Sequence, residues 1–323
     1  MLQKISIKNY KTVKGNNFSK IPLTFELFGK PLHTAPVVLV NHALTGNSTV
    51  CGEQGWWKGL IGPEKCIDTN YYTILAFNIP GNGYDGIEEN LIDDYQSFVA
   101  RDIAKIFDLG LKQLGIYSLY AAIGGSVGGG IAWELAVLNP KLIQHLIPVA
   151  TDWKSTDWLK ANCLVQEQIL LNSKNPVHDA RLHAMLIYRS PESFKMKFDR
   201  SFNQEWGIYN VESWLLHHGK KLKDRFTLAA YKTLNYILAN IDITSEGKKF
   251  EEVISPIGSH IHLISVDSDI FFTAREDRET FTRLQKEKKS VSHYVIKSIH
   301  GHDAFLIEFD QMSEFLHSIF KKK

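Results

Sequence analysis

Ala121-Ala122-Ile123-Gly124-Gly125-Ser126-Val127-Gly128-Gly129-Gly130 is the stretch that decides the fold. A serine stands among glycines where the apolar run Leu119 to Ile123 gives way to helical spacing through Gly129, Ile131, Ala132, Leu135, Ala136 and Leu138. Asn139-Pro140 then stops that pattern. On so sharp a strand-to-helix turn the serine takes a strained conformation that exposes Oγ. Its neighbours must be almost free of side chains for strand and helix to approach, and Gly124, Gly128 and Gly129 supply that room. The segment reads as a nucleophile elbow.

Outward from the elbow, strand-like runs recur at Val37 to Val40, Tyr72 to Phe77, Leu146 to Val149, Ile261 to Val266 and Val291 to Ile296. Helical patterns lie between several of them, notably Tyr95 to Leu114 and Gly129 to Leu138. This alternation predicts an α/β architecture, a mostly parallel central sheet flanked by helices. Before about Pro36, the alternation of Leu23, Phe25 and Leu27 predicts an antiparallel start. From Ala150 to about Ile241 strand signals vanish, and segments rich in Trp, Leu and His predict helices around Thr156 to Leu171, Asp179 to Tyr188, Val211 to His217 and Phe226 to Ala239. The expected organisation is a core of residues 1–152 and 241–323, with a helical cap inserted at 153–240.

Composition excludes several classes of partner. The 323 residues are 44% hydrophobic and 22% charged with a formal charge of +2, so the chain can bury a large core and has no strong electrostatic footprint. No nucleic-acid partner is expected, and Lys321-Lys322-Lys323 reads as a solvated tail. The first eight residues intersperse charges with apolar side chains, unlike a signal peptide. No run reaches the length of a membrane span. Cys51, Cys66 and Cys163 are odd in number and widely spaced, which fits a reduced cytoplasm better than disulfides or zinc.

A serine hydroxyl is a poor nucleophile at neutral pH. It needs a base to take its proton, and the base needs a third group to fix its tautomer. In a doubly wound fold these follow in the order Ser, Asp or Glu, His, in loops after strands. Asp267-Ser268-Asp269 follows the run ending at Val266, and His300-Gly301-His302 follows the run ending near Ile296. Spacing alone does not choose between Asp267 and Asp269, or between His300 and His302. His42, in Asn41-His42-Ala43-Leu44-Thr45-Gly46, follows an early strand and reads as a loop-shaping residue; the expected oxyanion donors are the backbone amides of Leu44 and Val127.

Four segments taken together resemble the homoserine O-acetyltransferase family, acyltransferases of the α/β-hydrolase fold. They are the Asn41 to Gly46 loop, the Gly124 to Gly129 elbow, Ser268-Asp269-Ile270-Phe271, and Gly301-His302-Asp303-Ala304-Phe305-Leu306. The resemblance implies Ser126 as nucleophile, Asp269 as orienting acid and His302 as base. Ala180 to Tyr188 is similar to the family's cap helix that carries an arginine and a tyrosine seven residues apart. Two helical turns set Arg181 and Tyr188 on one face, about 10 Å apart along the axis. By that likeness Arg181 would clamp a substrate α-carboxylate, with Tyr188 beside it and Asp303 pairing with the α-ammonium. Arg189, Arg200 and Arg225 are rival carboxylate binders.

The chain departs from the family pattern in three places. The segment Phe77 to Gly86 is compact, Val127 replaces a common methionine, and Thr227 stands where the last cap helix usually has an acid. The expected reaction is ping-pong transfer of acetyl from acetyl-CoA to the γ-hydroxyl of L-homoserine, a step of methionine biosynthesis. Acetyl-CoA would be a co-substrate, with no permanently bound cofactor and no metal. The resemblance also implies a homodimer through the cap, for which Trp153, Trp158, Trp206 and Trp214 are surface candidates. The alternatives are an esterase or other hydrolase, a serine-directed or succinyl-transferring variant, and a non-catalytic binding protein.

Overall fold

The computed structural model describes residues 1–244 and 247–320; the lysine tail lies outside the described residues. Eight strands form the main sheet: β1 (Gln3–Lys11), β2 (Asn17–Gly29), β3 (Val37–Asn41), β4 (Thr73–Phe77), β5 (Leu119–Gly125), β6 (Ile143–Val149), β7 (His260–Val266) and β8 (Val291–Ile296). Their spatial order is β1-β2-β4-β3-β5-β6-β7-β8. β2 pairs antiparallel with both β1 and β4, and every pairing from β4 to β8 is parallel. All five residues of β3 and all five of β4 are buried, as expected for central strands covered on both faces.

Two apolar layers cover the sheet. On one face α1 (Ala100–Gln113) and α2 (Val127–Leu138) bring Ile103, Phe107, Ile131 and Trp133 against Leu39, Leu75 and Phe77, with Leu284 of α9 (Ala274–Lys286) in the same layer. On the other, Met312 and Leu316 of α10 (Phe309–Leu316) join Trp57, Ile74 and Ile123. The sequence pattern starts the first long helix at Tyr95, but it begins at Ala100. The cause is Asp102, a buried carboxylate whose Oδ2 accepts the Val99 N–H at 3.1 Å and whose Oδ1 accepts the Tyr10 hydroxyl at 2.8 Å. That capping fixes the first turn.

Between β6 and β7 the chain leaves the sheet and builds α3 (Asp157–Asn172), α4 (Pro176–Tyr188), α5 (Pro191–Phe198), α6 (Asn210–Lys223), α7 (Leu228–Ala239) and the short α8 (Phe250–Ile254). This stretch is not free of strand: Phe202–Asn203 pairs with Ile208–Tyr209 in a small hairpin. α4 packs on α3 and α6, and α3 on α7. Thr227 is the N-cap of α7, its Oγ1 accepting the Ala230 N–H at 3.1 Å. The missing acid is thus replaced by a residue well suited to starting a helix. Trp153 packs on Phe250 and Trp214 on Phe198, whereas Trp158 and Trp206 are exposed.

At the elbow, a Cβ added to Gly124 would lie 2.4 Å from the Gly128 backbone, so α2 closes on β5 only because that atom is missing. Gly124→Ala should therefore cost about 2 kcal/mol or more, read as a lower midpoint in equilibrium denaturation. A wild-type midpoint would show that the turn can relax.

Candidate active site

Ser126 follows β5 directly and sits in the left-handed region, φ 56° and ψ −127°, as N-cap of α2. Few non-glycine residues take this conformation, and where one does the surroundings must hold it. Its N–H donates to the Val149 carbonyl at 2.9 Å, and the residue is buried. The Asn41 Nδ2 donates to the Gly128 carbonyl at 3.1 Å, tying the end of β3 to the start of α2. This brings the loop carrying Leu44 to the elbow carrying Val127; both residues are buried.

The members of each pair that spacing leaves open differ in their partners. Asp269 is buried; its Oδ1 accepts the N–H groups of Phe271 at 2.7 Å and Phe272 at 2.9 Å, and its Oδ2 accepts from His302 Nδ1 at 2.7 Å. A carboxylate oxygen accepts and a ring N–H donates, so this contact sets a His302 N–H at Nδ1 and turns Nε2 away from Asp269. Asp267 instead is exposed and accepts the Ser298 N–H at 3.1 Å. His300 Nδ1 lies 3.1 Å from Arg189 Nη1 and 3.3 Å from Ser193 Oγ. Behind Asp269 lies the buried acid Asp277, whose pKa is raised by burial and by the Asp269 charge. A neutral neighbour spares Asp269 a second negative charge.

Aromatic rings fix the His302 imidazole. Phe272 stacks on it at 5.5 Å between centroids and 26°, and Phe271, Phe305 and Tyr188 lie at 5.3, 5.4 and 5.4 Å. The same Phe305 ring lies 2.5 Å from where a Gly125 Cβ would be, so one side chain touches both the elbow and the His302 loop. Phe305 thus lies against both Gly125, the neighbour of Ser126, and His302, which is hydrogen-bonded to Asp269.

The helical insertion supplies the other predicted residues. The Arg181 guanidinium lies over the Tyr188 ring at 5.7 Å, so the pair on one face of α4 meets as the helix period requires. Asp303 is not waiting unpaired: its Oδ2 lies 3.1 Å from Arg189 Nε in an ion pair. That contact is bent rather than directed, since Arg189 Nε makes no hydrogen bond of good geometry. Burial raises the Asp303 pKa, while Arg181 and Arg189 pull it back. Arg225 extends to the Asn41 to Gly46 loop and donates to the Thr45 carbonyl at 3.0 Å; its pKa is lowered, first by burial and then by Arg181. Arg200 belongs instead to a surface cleft with Phe194, Lys195 and Tyr209.

One network beneath the site includes His42, read from the sequence as loop-shaping, and adds Asn78 and Asn82, for whose roles the sequence gives no signal. His42 donates from Nδ1 to the Ala43 carbonyl at 2.8 Å and accepts the Ile79 N–H on Nε2 at 3.0 Å, so neither nitrogen is available as a base. Burial pushes its pKa down to about 4 and keeps it neutral. Asn78 and Asn82 complete this support: Asn78 Oδ1 accepts from Ser48 N–H at 2.9 Å and from Asn82 Nδ2 at 3.0 Å. The compact Phe77 to Gly86 segment thus braces the loop that carries Leu44.

A family model described as alpha/beta hydrolase fold matches residues 36–168. The homoserine O-acetyltransferase of Salinibacter ruber is 27% identical over 344 residues, covering 97% of this chain and 96% of that protein. In structure, homoserine O-acetyltransferase from Bacillus anthracis matches with a TM-score of 0.89 at 21% identity, over 100% of this chain and 98% of that one. An acetylester hydrolase from Corynebacterium glutamicum matches with a TM-score of 0.84 at 19% identity, over 100% and 96%. Structural likeness at these identities establishes the fold. The chain has the α/β-hydrolase fold, and along nearly its whole length its sequence resembles the homoserine O-acetyltransferases.

Proposed function

We propose that this chain is an acyltransferase that moves an acetyl group from acetyl-CoA to the γ-hydroxyl of L-homoserine through an acyl-serine intermediate. The observation that carries the reading is the hydrogen bond from His302 to Asp269, set beside an elbow serine and under a helix bearing Arg181 and Tyr188. His302 Nε2 takes the Ser126 proton as Oγ attacks the thioester carbonyl. The oxyanion is held by the amides of Leu44 and Val127, and the CoA thiolate leaves with the proton from His302. The homoserine hydroxyl then gives its proton to His302 and attacks the acyl carbon; Ser126 Oγ departs reprotonated, and O-acetylhomoserine is released. Arg181 binds the α-carboxylate, and the Asp303 oxygen not held by Arg189 receives the α-ammonium.

The helical insertion acts as the cap, limiting water so that the amino-acid hydroxyl competes for the acyl group. Exposed Trp158, Leu164, Val165 and Leu171 on α3 support a homodimer through that cap. Free Cys51, Cys66 and Cys163 suit a cytoplasmic enzyme of methionine biosynthesis, and among the described residues no helix is long and apolar enough to cross a membrane. The likeness to an acetylester hydrolase favours one rival, in which water resolves the acyl-enzyme.

Thiol release from acetyl-CoA, measured with homoserine, with serine and without acceptor, separates these readings. Homoserine-dependent release that disappears in Ser126→Ala supports transfer; equal release without acceptor means hydrolysis, and succinyl-CoA in parallel tests the donor. Asp269→Asn should lower kcat by about 10⁴-fold by removing the acceptor that sets the His302 tautomer, while Asp267→Asn should leave it near wild type; equal losses would reject the assignment. Arg181→Ala should raise KM for homoserine by roughly ten- to a hundredfold with a smaller change in KM for acetyl-CoA. An unchanged homoserine KM would move the carboxylate site to Arg225 or Arg189.

A further inference from the structure

Three histidines meet at the end of the sheet remote from Ser126. His145 of β6 and His260 of β7 are register partners, so their side chains share a face, and His262, two residues along β7, returns to it. One ring nitrogen from each lies within 4.8 Å of the others. His145 Nδ1 is 3.1 Å from His262 Nε2, and the His260 and His262 rings stack at 4.1 Å and 17°. Tetrahedral zinc, with Zn–N of about 2.0–2.1 Å, holds neighbouring nitrogens about 3.3 Å apart. The nearest pair therefore already stands close to one edge of a coordination tetrahedron.

Hydrogen bonding accounts for the cluster only in part, since the 3.1 Å between His145 Nδ1 and His262 Nε2 is itself hydrogen-bond distance. His260 Nε2 reaches Ser292 Oγ at 3.2 Å, but His262 is only 3% exposed and its Nδ1 has no hydrogen-bond partner among the described residues. A buried ring kept only for packing is normally satisfied at both nitrogens. The other rings are half-buried, which leaves a path for an ion and a fourth position for water. We propose that His145, His260 and His262 bind a divalent transition-metal ion, Zn²⁺ being suited to three imidazoles, in a site separate from the serine chemistry. The ion would cross-link β6 and β7.

The test uses untagged, chelator-stripped full-length protein. Co²⁺ titration followed by visible absorption, then Zn²⁺ titration by calorimetry, should give one ion per chain, with the Co²⁺ bands displaced by Zn²⁺ and a higher Tm on loading. His145→Gln and His260→Gln, both at half-buried positions, should each weaken Zn²⁺ binding more than about tenfold, while His317→Gln, at an exposed position just after α10, should not. Circular dichroism checks that each variant is folded, and either one suffices. Absence of saturable one-to-one binding, or binding unchanged in the folded variants, would overturn the site and leave a packed cluster of neutral imidazoles.

Discussion

The fold turns on one close approach. β5 ends in backbone without side chains, and α2 starts where any Cβ on Gly124 would collide with Gly128. The contact forces Ser126 into a conformation that costs of order 1–3 kcal/mol in isolation. The cost is offset because almost every residue of α2 is buried, packed against the sheet, α1 and α7. A loosely packed α2 would let Ser126 relax. The rigidity of the parallel sheet is thus expressed in the direction of one hydroxyl.

The residues expected to serve that hydroxyl are each held in a different way. Asp269 is held by two backbone N–H groups of its own loop and by His302, and three phenylalanines and a tyrosine restrict the imidazole. Arg181 and Tyr188 come from helix periodicity alone. The Leu44 loop is placed from below by His42, Asn78 and Asn82, none of which needs to touch a substrate. A pocket built this way combines short-range chain geometry with a few long-range polar ties, and the ties carry the specificity of the arrangement.

What could be read from the sequence follows this division. The central strands were legible because both faces are buried and their residues form unbroken apolar runs; the elbow was legible because glycines flank a serine. The antiparallel start was legible from Leu23, Phe25 and Leu27, but not the bounds of β1, which alternates charged, exposed residues with only Ile7 and Tyr10 fully buried. α9 was also missed, because Ala274-Arg275-Glu276-Asp277-Arg278-Glu279 presents almost no apolar stripe. The choice of Asp269 over Asp267 and of His302 over His300 depends on where loops from distant strands point, which no local pattern encodes. Arg189 pairing with Asp303, and His145 meeting His260 and His262, are likewise products of tertiary register.

One seam joins the insertion to the core. Gly301 has φ 65°, and a Cβ there would lie 2.8 Å from the Tyr188 carbonyl, so the last turn of α4 rests directly on the backbone preceding His302. Lifting α4 at this point would drag the imidazole away from Asp269. Admission of a bulky molecule must then proceed by motion elsewhere, with this corner as the fixed pivot. A chain arranged in this way cannot lift α4 at this corner and keep the His302–Asp269 hydrogen bond at the same moment.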